Sequence, residues 1–292
     1  MIKKAIILAG GNGSRLYPST ISTSKQLLPI YDKPLIYYPL SIVMLAGIRE
    51  VLLISSPEQI DSFKSCLGNG SKWGINISYA VQEKPKGIAD AILVGEEFIS
   101  NDPFCLILGD NIFYGDLNFM YEAIRKFTTC TVFAYKVNDP ERFGVVKFDR
   151  QGKAKSIVEK PKTKISNWAV PGLYLFDDTA IQRTKRLSPS DRGELEITDL
   201  NRSYMEDGML NVQRMNRGLA WFDTGTPESM LEASNFLHTI ERTQNQKVAC
   251  LEEIALLRGF IDEKQFLETV NSMPNCDYKN YCKTIIDQET LE

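Results

Sequence analysis

Ile6-Ile7-Leu8-Ala9-Gly10-Gly11-Asn12-Gly13-Ser14-Arg15-Leu16-Tyr17-Pro18 decides the fold of this chain, together with Lys25-Gln26-Leu27-Leu28-Pro29 just beyond it. The apolar run reads as a buried strand, and it ends in glycines at which backbone can lie close to a ligand. Two cations follow, Arg15 and Lys25, on a stretch with almost no competing acid. Bare backbone N–H groups, an Arg fork and a Lys point charge suit a polyphosphate. The stretch therefore predicts a strand followed by a nucleotide-triphosphate loop.

Two better-known phosphate loops fit less well. A Walker loop ends in Gly-Lys-Ser/Thr, but Ser14 and Arg15 follow Gly13. A dinucleotide fingerprint needs a third glycine opening a helix, and Leu16 stands there instead. Pro18 and the Ser/Thr-rich 19–24 stretch oppose an immediate long helix. A plain glycine turn after an edge strand is the bland alternative.

Outward from the loop, apolar strands alternate with amphipathic helices. Strands are predicted over 4–8, 50–54, 76–79 and 104–108, and helices over 34–45, 58–67 and 87–98. This alternation predicts an α/β fold, a Rossmann-like sheet flanked by helices, mixed but mainly parallel. Ligands of such sheets sit outside the carboxyl ends of the strands, where the glycine loop and Gly109-Asp110-Asn111 both fall. From Thr131 the pattern turns to mixed β, with strands over 131–137, 145–148, 154–158, 169–176 and 211–214. Helices are expected over 227–243, 252–259 and 263–270. No repeat, low-complexity tract or linker separates independent domains. The expected division is an α/β domain over 1–240, with 1–112 mainly facing the nucleotide and 113–226 mainly a second ligand, and a helical extension over 241–292.

The 292 residues are 43% hydrophobic, enough for one large core. The net charge of -3, with charges interspersed, disfavours nucleic acid as a partner. The six cysteines form no Cys-x-x-Cys pair, which suits a reducing cytosol and argues against zinc. The start runs straight into a strand rather than a cleavable signal, and no run is long enough to span a bilayer, so a cytoplasmic protein is expected. The one histidine, His238, falls in a predicted helix and reads as a surface or packing residue.

Two acids stand out. Asp110 follows an apolar strand through Gly109, and Asp223 sits in Trp221-Phe222-Asp223-Thr224-Gly225-Thr226. Each could make a turn or cap a helix. Together they could supply hard oxygen ligands to one Mg²⁺.

Gly-Gly-x-Gly-x-Arg-Leu-x-Pro followed by Lys-Gln-Leu-Leu-Pro resembles the signature of the sugar-1-phosphate nucleotidylyltransferases. Tyr31-Asp32-Lys33-Pro34, Leu108–Asn111, Glu159-Lys160-Pro161, Gly193–Asp199 and Trp221–Thr226 continue the resemblance in family order across nearly the whole chain. They narrow it to the glucose-1-phosphate thymidylyltransferases. The resemblance implies transfer of a thymidylyl group from dTTP to glucose 1-phosphate, giving dTDP-glucose and pyrophosphate. It further implies a homotetramer, inhibition by a downstream dTDP-sugar, and a place in dTDP-rhamnose and cell-surface polysaccharide synthesis.

Such a reaction is an in-line displacement at the α-phosphorus by the sugar phosphate's own oxygen. It needs positioning, charge neutralisation and a metal, with no side-chain nucleophile. Arg15, Lys25 and Lys160 are the expected catalytic residues, and the resemblance assigns Asp110 and Asp223 to Mg²⁺. The nucleotide is expected against Leu8, Gly10, Gly11, Asn12, Gly13, Ser14, Arg15, Lys25, Gln26, Gln82, Gly87 and Asp110. Gln82 offers a donor and an acceptor, matching N3–H and a carbonyl of thymine or uracil. The sugar phosphate is expected against Asn111, Gly144, Glu159, Lys160, Val170, Tyr174 and Glu194. Glu159 would accept sugar hydroxyls and Lys160 would hold the phosphate. Tyr114, Gly115, Arg217 and Arg258 are candidates for the regulatory pocket, although the chain runs from Gly115 to Asp116-Leu117 one residue shorter than the family often does.

A uridylyltransferase on the same sugar remains open, because a single methyl group gives only about 1–3 kcal/mol of discrimination. A non-catalytic nucleotide-sugar sensor is the reading from another class. An NAD-dependent oxidoreductase would lack both its third glycine and a catalytic His or Tyr constellation.

Overall fold

The computed structural model describes residues 2–11 and 13–289. Asn12, expected against the nucleotide, lies outside the described residues. The first strand, β1 (Lys4–Leu8), leads through the glycine loop to a small hairpin of β2 (Pro29–Ile30) and β3 (Lys33–Pro34). Then come α1 (Tyr37–Leu45), β4 (Glu50–Ser55), α2 (Ile60–Leu67) and β5 (Asn76–Val81). The next group is α3 (Asp90–Val94), α4 (Glu96–Ile99), β6 (Phe104–Leu108), β7 (Asn111–Tyr114) and α5 (Asn118–Arg125). Strands β8 (Cys130–Lys136), β9 (Gly144–Phe148), β10 (Ala154–Glu159), β11 (Trp168–Val170) and β12 (Leu173–Phe176) precede α6 (Thr179–Thr184) and α7 (Ile197–Glu206). After β13 (Leu210–Arg214) and β14 (Ala220–Asp223), the chain ends in α8 (Pro227–Gln244), α9 (Leu251–Leu257), α10 (Glu263–Ser272) and α11 (Asp277–Glu289).

One ten-stranded sheet organises the molecule, in the order β10-β9-β11-β8-β12-β6-β1-β4-β5, with β13 added beside β8. It is mixed. The β6-β1-β4-β5 half is parallel, and β12, β11, β9 and β10 join antiparallel. Strand periodicity fills both faces: Ile7, Leu53 and Ile107 enter one apolar core, while Ile6, Leu52 and Leu106 enter the other. In-register β1 and β6 therefore end together, at Leu8 and Leu108, and Gly109 N–H donates to the Leu8 carbonyl at 2.9 Å. The glycine loop and Asp110 thus leave the sheet side by side.

A second, two-stranded ribbon pairs β7 with β14, with Asp223 opposite Asn111. The helix that follows is capped by Thr226, whose hydroxyl accepts from Ser229 N–H while Pro227 takes the first helical position. Asp223 is therefore free of the capping role that its sequence context also allowed.

Two expected elements differ. The helix expected over 87–98 is two short helices broken at Gly95, where a Cβ would stand 2.7 Å from Ile6 Cδ1. The strand expected over 169–176 is two strands, because Pro171 and Gly172 interrupt it. Helices α5, α6, α7 and α11 and strands β2, β3, β7 and β14 had no counterpart among the expected elements.

The C-terminal helices share the core of the α/β part. Leu251, Ile254, Phe266, Val270 and Cys282 join the same apolar cluster as Ile7 and Leu53. The Trp73 indole donates to the buried Glu252 carboxylate at 2.8 Å. No described helix is long and apolar enough to cross a membrane.

Candidate active site

Two adjoining cavities open at the carboxyl ends of β1 and β6. The first, about 240 Å³, is lined by Leu8, Gly10, Gly11, Lys25, Gln26 and Gln82, with Gly87, Ile88, Leu108 and Asp110. The second, about 130 Å³, shares Ile88 and Leu108 and adds Gly144, Glu159, Lys160, Val170, Tyr174 and Asp223. A larger hollow of about 550 Å³ lies elsewhere, around Arg183 and Asp207, and contains none of the candidate residues.

Gly13 takes a left-handed conformation (φ 56°), which starts the short turn Ser14–Leu16 and leaves Arg15 exposed. The loop is braced by Thr20, whose hydroxyl donates to the Gly13 carbonyl at 3.0 Å. Gln26 is fully buried, and its amide donates to the Gly10 carbonyl at 3.2 Å, so it supports the loop from beneath.

Lys25 ion-pairs with Asp110, and both side chains are mostly buried. Burial acts to lower the Lys25 pKa, but the Asp110 charge and hydrogen bond overcome it and leave the ammonium raised. Burial pushes the Asp110 carboxyl up, and Lys25 with Asn111 pulls it below its usual value. Asp223 behaves differently. Burial, and then the Asp110 charge, push its carboxyl up to about 6. Lys25, Arg142 and Arg15 only partly compensate.

A buried carboxylate and a half-buried one, the second short of compensating charge, form a hard-oxygen donor set that fits a small divalent cation. Thr224 fixes the pair: its N–H and hydroxyl donate to the Asp110 carbonyl at 3.2 and 2.8 Å.

In the second cavity Glu159 ends β10 and accepts from the Thr198 hydroxyl. Lys160 follows with φ 38°, a left-handed conformation that costs a non-glycine residue energy and is retained mostly at functional positions. Its Nζ lies 3.7 Å from Glu159. Gly144 opposite is needed small, since a Cβ would stand 2.9 Å from Thr198 Oγ1 and 3.4 Å from Glu159 Oε2.

Two expectations are refined by placement. The side-chain oxygen of Asn111 accepts from Trp221 Nε1 at 2.7 Å and Gly172 N–H at 3.0 Å, and its amide donates to Asp110 at 3.0 Å. Its carboxamide therefore holds the site together, while Asn111 also lines the second cavity and keeps one amide N–H for a ligand there. Glu194 lines the first cavity beside Gln82 rather than the second with Glu159. It takes no part in capping α7, whose N-cap residue is Glu196 and which has no side-chain cap.

The regulatory candidates separate. Tyr114 and Gly115 line a third cavity of about 310 Å³ with Lys247, Val248 and Cys250. Arg217 and Arg258 do not line it, and Arg258 lies over the Tyr121 ring at 5.9 Å. His238 sits in α8, its ring 5.2 Å from that of Tyr31.

Arg142 and Arg192 belong to the site although neither was among the expected residues. Arg142 reaches Asp223 at 3.9 Å, and Arg192 faces Glu159, Glu194 and Glu196 at 3.8, 3.4 and 2.8 Å. Their signal was position alone: each lies two residues before an expected sugar-side residue, Gly144 or Glu194.

The family model described as nucleotidyl transferase matches residues 4–240. A glucose-1-phosphate thymidylyltransferase of Neisseria meningitidis serogroup A is 55% identical over 280 residues, covering 95% of this chain and 97% of the relative. One from Mycolicibacterium smegmatis is 48% identical over 289 residues, covering 98% and 100%. A solved putative glucose-1-phosphate thymidylyltransferase from Bacillus anthracis, in complex with a sucrose, superposes with a TM-score of 0.75 at 41% identity, covering 80% of this chain and 94% of the other. A UDP-glucose pyrophosphorylase complexed with UDP-glucose follows at 0.73 and 28% identity, covering 82% and 100%.

Proposed function

This chain belongs to the nucleotidyl transferase family, and we propose that it transfers a thymidylyl group from dTTP to glucose 1-phosphate, releasing pyrophosphate. The observation that carries this reading is the convergence of a glycine loop, a Lys25–Asp110 pair and Asp223 at the junction of two cavities. The near-full-length thymidylyltransferase relatives supply the substrates.

The triphosphate lies along Gly10–Arg15 with its base in the first cavity. Arg15 and Lys25 neutralise the β- and γ-phosphates and the charge that develops on the leaving pyrophosphate. Asp110 and Asp223 would hold Mg²⁺, which when bound supplies Lewis-acid polarisation of the α-phosphate. Glucose 1-phosphate occupies the second cavity: Glu159 accepts sugar hydroxyls, Gly144 and Val170 form the wall, and Lys160 aims the phosphate oxygen at the α-phosphorus. Arg192 adds a second cation beside Glu159. No side chain needs to accept a proton, since the attacking phosphate is already anionic.

A cytoplasmic enzyme fits this chemistry, as does a homotetramer of the kind the resemblance implies. The cavity at Tyr114 and Gly115 is the place for inhibition by a dTDP-sugar. The reading is tested by initial rates of pyrophosphate release from dTTP and glucose 1-phosphate with Mg²⁺ and with excess chelator. Release that needs both substrates and stops with chelator is expected; release indifferent to glucose 1-phosphate would overturn it.

A further inference from the structure

Two carboxamides line the first cavity; Gln26 is tied to the Gly10 carbonyl and the Ser24 hydroxyl, which leaves Gln82, and reversing its amide inverts what it asks of a base. Its backbone is fixed, because its N–H donates to the Ser55 carbonyl at 2.9 Å and continues the edge of β5. Its carboxamide is fixed by a different residue. Nε2 donates to Asp90 Oδ2 at 2.7 Å and, over a longer 3.4 Å, to the Gly87 carbonyl. A carboxylate accepts hydrogen bonds and donates none, so only one amide orientation is compatible with Asp90. Oε1 is then left facing the loop, 3.3 Å from where a Cβ on Gly10 would stand.

We infer that Asp90 is a specificity-determining positioning residue: it locks Gln82 so that the cavity presents an acceptor, selecting bases with N3–H over cytosine. Thymine and uracil carry a donor at N3, whereas cytosine carries a lone pair there and would meet Oε1 acceptor to acceptor. The Gly87 N–H, which has no partner among the described residues, is available to an exocyclic carbonyl. Gln82 thus reads the base with its acceptor alone, its donors being engaged inside the protein. Asp90 reaches this position as the first residue of α3, and Gly87 is held beside it by the Leu195 loop, through Leu195 N–H to Lys86 at 2.7 Å and Ala89 N–H to Leu195 at 3.2 Å.

This inference rests on the nucleotidyl-transfer reading and adds the residue that sets base choice. A helix-start acid is the structural alternative for Asp90, and it makes a different demand. Loss of a favourable helix-terminal charge would lower the melting temperature and leave nucleotide preference alone. Loss of the lock would change the preference.

The experiment compares kcat and KM for dTTP and CTP, at saturating glucose 1-phosphate, in the wild type, Asp90→Asn and Asp90→Ala. In both variants the ratio of kcat/KM for dTTP to that for CTP should fall about tenfold or more, mostly through KM for dTTP, with kcat for dTTP within about threefold of wild type. An unchanged ratio in a folded, active variant overturns the inference. Wild-type enzyme should also use 3-methyl-thymidine triphosphate, which lacks N3–H, at least about tenfold less well than dTTP. Equal use of that analogue overturns the acceptor assignment even if neither variant folds. Failure of the wild type to use dTTP at all would instead sink the parent reading.

Discussion

Asp223 stands opposite Asn111 across the β7–β14 ribbon, and this register sets its carboxylate against that of Asp110, the next residue back. Lys25 satisfies only Asp110 directly. The second carboxylate is left raised to about 6, a poor arrangement for an empty protein and a suitable one for a cation.

The folded-state pKa of Asp223 lies above the unfolded value, so its stabilising contribution is present below about pH 4 and lost as pH rises through about 6. Asp223→Asn should therefore melt higher than wild type at pH 7–8 in the absence of metal, by about 1–3 kcal/mol, and match it near pH 4. The same variant should lose nearly all turnover. Thermal melts across pH, beside rates, separate the two effects; equal melts at pH 8 would contradict the account.

Wild-type turnover should share this titration. Activity limited by metal loading should fall as pH drops through about 6, and added Mg²⁺ should move the midpoint lower, since it competes with the proton. A midpoint indifferent to Mg²⁺ concentration would place the controlling group elsewhere.

Lys25→Met should reduce kcat by at least about 10²-fold, as removal of one preorganised charge at a developing anion typically does. It should also destabilise the fold, because a buried Asp110 carboxylate loses its partner. The wild-type Asp110 carboxyl is held low, so this contribution exists at neutral pH and disappears in acid as the carboxyl protonates. Denaturant titrations should show the deficit at pH 7 and lose it only in acid below the usual carboxylate range, as pH falls through the lowered Asp110 pKa.

Two glycine variants test the division between cavities. Gly144→Ala pushes a methyl at Thr198 and Glu159, and should raise KM for glucose 1-phosphate about tenfold with little change in KM for dTTP. Gly87→Ala is strained twice, by its φ of 103° and by the Leu195 backbone, and should act on dTTP instead. Parallel effects on both substrates in both variants would mean the cavities are not separate subsites.

Much of this was legible in the sequence because the informative features are local. A strand, a glycine loop and two cations are contiguous, and the ends of β1 and β6 follow from apolar runs that stop at Gly10 and Gly109. What was not legible depends on pairing between distant segments. The engagement of Asn111 by Trp221 and Gly172 requires the β7–β14 register, which neither segment announces alone. Gln82's polarity is set by Asp90, eight residues on, across a turn that reads as the start of a helix. Glu194 moved to the nucleotide side because the loop before α7 folds over Gly87, a contact held by backbone bonds that leave no trace in side-chain pattern.

The central claim is tested most directly by pyrophosphate release with glucose 1-phosphate and Mg²⁺, comparing dTTP, UTP, CTP, ATP and GTP side by side. Release should be fastest with dTTP, second with UTP and slight with the others. Release with UTP alone, or none from folded protein with any of the five, would contradict it.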